Sequence, residues 1–297
     1  MPSRRAYLSS VSGAVATSLA GCTAFGAGGD GDLALATTTS AYESGLLDEL
    51  HAAFTRRTGV RVSAVPRGTG AALRTARDGD ADAVLVHARD LEEEFVRRGY
   101  GVERHEAFAS DYVFVGPPGD PADVSAAKTT AEALETIANA EASFVSRGDD
   151  SGTHHRELSL WDATAAEPGG RWYTEVGQGM GSTLVHASER EAYALSDRPT
   201  LGSMVDNVDL VVLLDGPLRG GPDELANPYG VIAVDPDRRG SVDHESASAY
   251  VDFVTGPDGQ EIVDEFRVGG ERIFEPASNR AEVTERVRAR EEEGDSA

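Results

Sequence analysis

Four short segments of this chain place hydroxyl-bearing residues and glycine where an apolar run hands over to an amphipathic one. They are Thr37-Thr38-Thr39-Ser40, Gly68-Thr69-Gly70, Asp150-Ser151-Gly152-Thr153 and Gly177-Gln178-Gly179-Met180-Gly181-Ser182-Thr183. Such residues start helices, because a short oxygen side chain or a bare backbone can satisfy the free N–H groups of a first turn. A helix start also carries unpaired N–H groups and roughly half a positive charge, so it attracts anions without any lysine. Four starts converging would gather about two positive charges by that estimate, the complement of a tetrahedral dianion. Each segment alone is equally well a plain cap. It is the occurrence of two in each half of the chain that points to a cleft at the carboxyl ends of strands. Arg147, in Ser146-Arg147-Gly148-Asp149, follows a buried-looking strand and could offer a planar, forked cation to an oxyanion. Its alternative is a surface salt bridge to Asp149 or Asp150.

Other constellations carry less. Gly148-Asp149-Asp150-Ser151-Gly152 resembles the nucleophile loop of trypsin-like serine proteases, but an additional aspartate interrupts it and the α/β pattern conflicts with paired β-barrels. A serine hydrolase using Ser151 and a histidine is the rival of another class, and no catalytic residue is assigned. His154, His155 and Glu157 invite a metal reading, yet adjacent histidines on a helix point about 100° apart and do not readily face one ion. His87 ends the apolar run Val84-Leu85-Val86 and is expected to cap or pack near the cleft. Asp149 and Asp150 are expected to face the helix start and Arg147. There is no phosphate-binding P-loop or dinucleotide fingerprint, so no cofactor and no metal are expected.

The elements that must position these groups follow from the hydropathy pattern. Strands are predicted at 33–36, 60–65, 83–86, 112–116, 143–145, 210–214 and 229–234, alternating with helices at 44–58, near 70, 91–98, 130–140, 153–164 and 181–189. That alternation is the mark of an α/β sheet with crossover helices. Two more helices, at 245–255 and 257–266, precede a charged tail over 277–297. The length of 297 residues suits two lobes. Lobe 1 is read as 33–116 plus 228–276 and lobe 2 as 117–227, with strands near 112–116 and 229–234 crossing between them as a hinge.

Charge and terminus narrow the setting. With 27 basic against 51 acidic residues the formal charge is -24, which argues against nucleic acid or an anionic membrane surface as a partner of the fold. Almost all the cations are arginine, Lys128 being the only lysine, a balance expected of a halophile's protein. In molar salt the Debye length is about 3 Å, so local donors must do the capturing. Arg4-Arg5 ahead of a short apolar run at 11–20 has the layout of a twin-arginine export signal, over 1–22. The run is too short to span a bilayer. It ends in Leu19-Ala20-Gly21-Cys22, and Cys22 is the only cysteine, so a lipid-modified first mature residue is expected, followed by a flexible tether at 23–32.

From Leu35 to about Pro276 the chain resembles the tungstate-specific substrate-binding proteins of ABC transporters, of the type II periplasmic-binding-protein fold. The resemblance is carried by Ala36-Thr37-Thr38-Thr39-Ser40, Ser44-Gly45-Leu46-Leu47, Gly68-Thr69-Gly70, Val86-His87-Ala88, Phe144 to His154, Gly177-Gln178-Gly179-Met180-Gly181, and Asn227-Pro228-Tyr229-Gly230-Val231-Ile232-Ala233-Val234. It implies a two-lobed, hinged α/β binder of tungstate, or of molybdate, working with a permease and its ATPase as an extracytoplasmic monomer. It implies ligand contacts from Thr39, Ser40, Arg147, Ser151 and Thr153, with Gly68, Thr69, Gly152, Gly181 and Ser182 from the helix starts around them. Phosphate binding within the same fold is the alternative, because an arginine followed by Ser151-Gly152-Thr153 is similar to phosphate-binding proteins too. Arg67 stands where the family has a small apolar residue, and Pro199 where it has glycine.

Overall fold

A computed structural model of the chain describes residues 32–149, 151–237, 241–277 and 279. The export signal with Cys22, the tether up to residue 31, Asp150 and the tail from residue 280 lie outside the described residues. The elements run β1 (Asp32–Thr38), α1 (Thr39–Glu43), α2 (Leu46–Thr58), β2 (Arg61–Arg67), α3 (Thr69–Asp78), β3 (Ala83–Val86), α4 (Arg89–Arg97) and β4 (Gly101–Gly116). They continue as α5 (Thr130–Asn139), β5 (Phe144–Ser146), α6 (Gly152–Asp162), β6 (Tyr173–Glu175), α7 (Met180–Glu189), β7 (Ala194–Asp197), α8 (Arg198–Met204) and β8 (Val211–Leu214). The last are β9 (Ala226–Val234), α9 (His244–Thr255), α10 (Pro257–Glu265) and β10 (Glu275–Pro276). Among the described residues no helix is long and apolar enough to cross a membrane.

Two sets of apolar side chains form separate cores. Leu33, Leu47, Phe54, Phe108, Tyr229, Tyr250 and Phe274 belong to one lobe, with Ala36, Leu73, Val84 and Ile232 on the other face of the same sheet. Tyr112, Phe114, Leu134, Phe144, Trp161 and Tyr193 belong to the second, with Val113, Val145, Leu184 and Ala194 opposite. Each sheet is therefore covered on both faces, as parallel crossover strands require. This is the two-lobed α/β fold expected from the alternation of elements.

The first sheet has the order β10-β4-β9-β3-β1-β2. Its β1 runs parallel to both β2 and β3, while β9 is antiparallel to β3 and to β4. The strand expected at 112–116 is the end of a longer one: β4 begins at Gly101, and only Tyr112 to Gly116 pairs with β7 and β8. Alternation is hard to read over 101–111 because Glu103, Arg104, His105 and Glu106 interrupt it. The helix expected at 44–58 is α2; a short helix, α1, precedes it, and α2 starts at Leu46 because Gly45 sits at φ 85°. Only a residue without Cβ adopts that conformation cheaply. The strands β6 and β7 and the helix α8 were not anticipated, being too short for a period to show.

Where β4 and β9 pass between the lobes, a buried ion pair sits beside them. Asp111 is fully buried at the end of the β4–β9 pairing, Arg198 Nη2 lies 3.4 Å from its Oδ2, and the same guanidinium contacts Asp215. The Leu218 N–H also donates to Asp111, at 3.2 Å. Burial pushes the Asp111 carboxyl up to about 6, with Arg198 acting in the opposite direction. A raised carboxylate holds its proton in the folded state over a range where the unfolded chain has lost it. Stability then falls as pH rises from the ordinary value toward about 6. Arg198→Met should cost about 3–5 kcal/mol at pH 8, where a buried charge is left uncompensated, and clearly less at pH 5, where the proton neutralises it. Thermal unfolding at both pH values checks this, and an equal loss at both would mean that charge is not the cause.

Candidate functional site

The parallel register of lobe 1 brings three strand ends together. Thr38 on β1 stands beside Arg67 on β2, and Thr37 beside Leu85 on β3, so the turns that follow share one rim. Thr37 is spent on the fold, its hydroxyl donating to the Leu85 carbonyl at 2.9 Å. Thr38 caps α1, accepting from the Ala41 N–H, and Ser40 Oγ lies 3.3 Å from both Thr38 Oγ1 and Tyr229 OH. Ser40 is buried and Thr39 half-buried. Gly68 caps α3 without a side chain, and Thr69 follows it, buried, its Oγ1 without a partner. Arg67 is exposed at the lip of this rim.

In lobe 2 the same logic applies to β5 and β6, which run parallel with Ser146 opposite Glu175. The Gly177 N–H donates to the Arg147 carbonyl at 2.9 Å and ties the two turns together. Gly148 sits at φ 63°, and a Cβ there would lie 2.6 Å from the Glu175 side chain, so the loop admits only glycine. Arg147 is only 7% exposed. Its Nε donates to Asp149 Oδ2 at 3.0 Å, while Asp149 Oδ1 accepts from the Ser151 N–H at 3.1 Å. One carboxylate thus orients the guanidinium and closes the turn. The salt bridge read from the sequence exists, but it is not a surface pair, and it leaves the Nη groups without a hydrogen-bond partner among the described residues.

Ser151 caps α6 by accepting from the His154 N–H at 3.2 Å. Gly152 and Thr153 open that helix, both buried, and Thr153 Oγ1 has no partner. The rim is completed by Gly179, which caps α7. There the fit to expectation is poorer. Gly181 is half-buried against Met204, and Ser182 is exposed; the buried hydroxyl of this turn belongs to Thr183, which donates to the Gly179 carbonyl at 3.1 Å. A helix repeats every 3.6 residues, so adjacent positions face different ways, and the sequence alone could not tell which one turns inward. His154 donates from Nδ1 to the Asp149 carbonyl, and Glu157 accepts from Tyr173 OH at 2.7 Å, its carboxyl pushed up by burial to about 7. Both serve the loop rather than an ion.

The lobes meet at His87. Its Nδ1 lies 2.9 Å from Asn227 Oδ1 and 3.0 Å from Tyr112 OH, and its ring stacks on Tyr229 at 4.8 Å. These partners come from β4 and β9, so the imidazole is seated on the hinge. Burial lowers its pKa to about 4, although Asp197 and the Asn227 bond favour the charged form. Across the cleft stands Gly152, where an added Cβ would come within 3.0 Å of the His87 ring and of its carbonyl oxygen. The sequence marks Tyr112 only as a strand residue and Asn227 only as part of a segment that carries the resemblance. Their polar atoms acquire a role through a ring that is distant in the chain.

Residues 23–258 match the PBP superfamily domain. The chain belongs to the PBP superfamily. Within it, the protein is 47% identical over 92% of its length to a Haloferax volcanii protein named for ABC-transporter anion binding, of which the match covers 85%. It is 40% identical to the tungstate-binding protein TupA of Peptoclostridium acidaminophilum, over 80% of this chain and 82% of that one. A solved structure, described as the tungstate ABC transporter from Geobacter sulfurreducens, superposes with a TM-score of 0.73 at 44% identity, covering 79% of this chain and 98% of that one. At those identities and coverages this PBP-superfamily protein is a member of the TupA family.

The contact between Gly152 and His87 generates a test of closure. Gly152→Val puts branched carbons where the two lobes approach, at the first position of α6, which tolerates any side chain locally. Small-angle scattering should give a larger radius of gyration than for the wild type, with thermal stability little changed. An unaltered radius would mean that the lobes do not close on this contact.

Proposed function

We propose that this protein binds tungstate outside the cytoplasm and delivers it to the permease and ATPase of an ABC importer, without chemical turnover. The observation that carries the reading is a pair of buried hydroxyls without partners, Thr69 at the start of α3 in lobe 1 and Thr153 in the first turn of α6 in lobe 2, the helix that follows the Arg147 turn. An unsatisfied buried donor costs about 1–3 kcal/mol, so such groups mark a place where something else completes the bonding. Thr39, Ser40, Gly68 and Thr69 would hold the ligand from one lobe, and Arg147, Ser151, Gly152 and Thr153 from the other. Gly181 belongs to the surrounding wall, and Ser182, exposed, to its outer edge.

The donor set favours an unprotonated dianion. Tungstate near neutral pH carries no proton, whereas hydrogen phosphate also needs an acceptor. Asp149 is the carboxylate placed beside Arg147, and its two oxygens already accept from Arg147 Nε and the Ser151 N–H. Hydroxyls, N–H groups and a guanidinium remain. That selects against phosphate and leaves molybdate as the close competitor, with the tungstate names of the relatives favouring tungstate. No cofactor or metal ion is needed, the tungsten being enclosed in its own oxygens.

The same proposal extends to the setting. The paired arginines, the short apolar run and Cys22 support export and a lipid anchor on the outer face of the membrane, and the excess of carboxylates over a single lysine supports work in concentrated salt. A monomer suffices, because both halves of the site come from one chain. Cys22→Ser should release the protein from the membrane fraction of its native host, and unchanged membrane association would remove the anchor.

Calorimetric titration of the desalted protein with tungstate, molybdate, sulfate and phosphate tests the ligand. Tungstate should bind tightest, and tight binding of phosphate with none of tungstate would overturn the reading. Arg147→Ala should weaken tungstate about 10- to 100-fold, the equivalent of about 1.5–3 kcal/mol for a bond to a charged group. Thr69→Val and Thr153→Val should each cost about 1 kcal/mol, or roughly fivefold.

A further inference from the structure

A cavity of about 500 Å³ lies between the lobes beside the site. Its floor is the hinge, with Tyr112 from β4 and Asn227 from β9, and its sides are the start of α4 and one face of α6. In a chain of net charge -24 it collects the guanidinium groups of Arg89 and Arg156, with the imidazoles of His87 and His155, against the single carboxylate of Asp90. Arg89 is paired with Glu93 at 2.7 Å, but Arg156 binds through Nη2 to the Glu224 carbonyl, and its Nε is buried without a partner. Asn227 is fully buried in the lining, its Oδ1 lying 2.9 Å from His87 Nδ1. The lining thus brings two guanidinium groups to the cavity against one carboxylate.

The wall between cavity and site is thin. Gly152 and His87 belong to both, and the room left by the missing Cβ of Gly152 is all that separates the imidazole from the start of α6. His87 in turn is held by Tyr112 and Asn227, so a small movement of the hinge strands carries the ring with it.

We propose that this cavity is an antechamber for the oxyanion: a weak site in which a hydrated tetrahedral anion lodges before passing the His87–Gly152 wall, and again on leaving. The inference rests on the oxyanion reading of the site. At ~30 Å³ per water the space holds on the order of fifteen waters, so an anion there keeps most of its hydration shell. An excess of cations over carboxylates in a cleft focuses the field and raises the local concentration of counter-ions. The antechamber thus supplies capture, and the dry site beyond it supplies affinity.

A route differs from a binding contact in its kinetics. Narrowing a route slows entry and exit by the same factor and leaves the equilibrium alone, whereas removing a contact changes the dissociation rate and the equilibrium together. Ser159 serves for the test, because it lines the cavity from the exposed face of α6 and takes no part in the site. Tungstate association and dissociation would be followed by stopped-flow tryptophan fluorescence on the full chain, for the wild type, Ser159→Trp and Ser159→Glu. Ser159→Trp should lower both rates by about tenfold, within the range that kon spans among variants of one site, with Kd unchanged within about twofold. Ser159→Glu should lower both rates by about tenfold at low salt and hardly at all at molar salt, since the steering it opposes is electrostatic.

Unchanged rates in both variants, with each folded by circular dichroism, would show that the anion enters elsewhere and overturn the proposal. A changed Kd with kon intact would overturn it too, by making the cavity part of the site. A wild type that fails to bind tungstate is a different result, visible in the equilibrium titration. It would refute the ligand and not the route, and the same kinetics would then be read with whichever of molybdate, sulfate or phosphate binds.

Discussion

Polar groups with nothing to bond are buried in both lobes of this protein. Thr69 and Thr153 each bring an unpartnered hydroxyl into the interior, one from each lobe, and the Arg147 guanidinium is buried with a single carboxylate contact through Nε. Each unsatisfied donor costs about 1–3 kcal/mol, a cost that the proposed anion would offset by accepting from them. Much else in the fold can be understood as a frame for that constraint. Register puts the turns of β1, β2 and β3 on one rim; the Gly177–Arg147 bond joins the turns of β5 and β6 on the other; the long strand β4 and its partner β9 let the rims meet.

The electrostatics follow from the same constraint. A surface with 51 acidic residues against 27 basic ones has no long-range attraction to offer an anion, and in strong salt none would reach beyond a few ångströms. Positive potential is therefore supplied at short range, by the backbone at helix starts, by the buried Arg147, and by Arg89 and Arg156 in the cavity. Most other arginines are committed to carboxylates, as in Arg104 with Glu92 and Arg61 with Asp32. Asp149 shows why a carboxylate can sit beside such a site without repelling its ligand. Both of its oxygens are already accepting, and it orients the cation instead of facing the anion.

The hinge holds the buried ionisable groups that the fold has to manage. Asp111 and Arg198 lie where the pairing of β4 passes from β9 to β7, and His87 rests on Tyr112 and Asn227 at the same crossing. A neutral imidazole suits this place, because burial opposes its protonation and the Arg147 charge adds to that opposition. It can then pack against Gly152 without bringing a further charge into the closed cleft.

The sequence by itself determined the class of fold and the chemistry of the turns. Alternating apolar strands and amphipathic helices are local patterns, set by side-chain periods of two and 3.6, and so are glycine and hydroxyl residues at helix starts. Thr69, Arg147, Ser151 and Thr153 could be singled out because their neighbours in the chain announce their backbone. What the sequence left open depends on contacts between distant residues. That Thr183 and not Ser182 turns inward depends on which face of α7 meets the lobe 2 core. That β4 runs from Gly101 depends on pairing with β9, over a hundred residues away in the chain, which overrides a charged stretch that does not look like strand. The seat of His87 on Tyr112 and Asn227, its approach to Gly152, and the cavity behind them arise only when two lobes close. No local pattern encodes a surface that comes into being by the meeting of separate parts of the chain, so these features were decided by the tertiary structure alone.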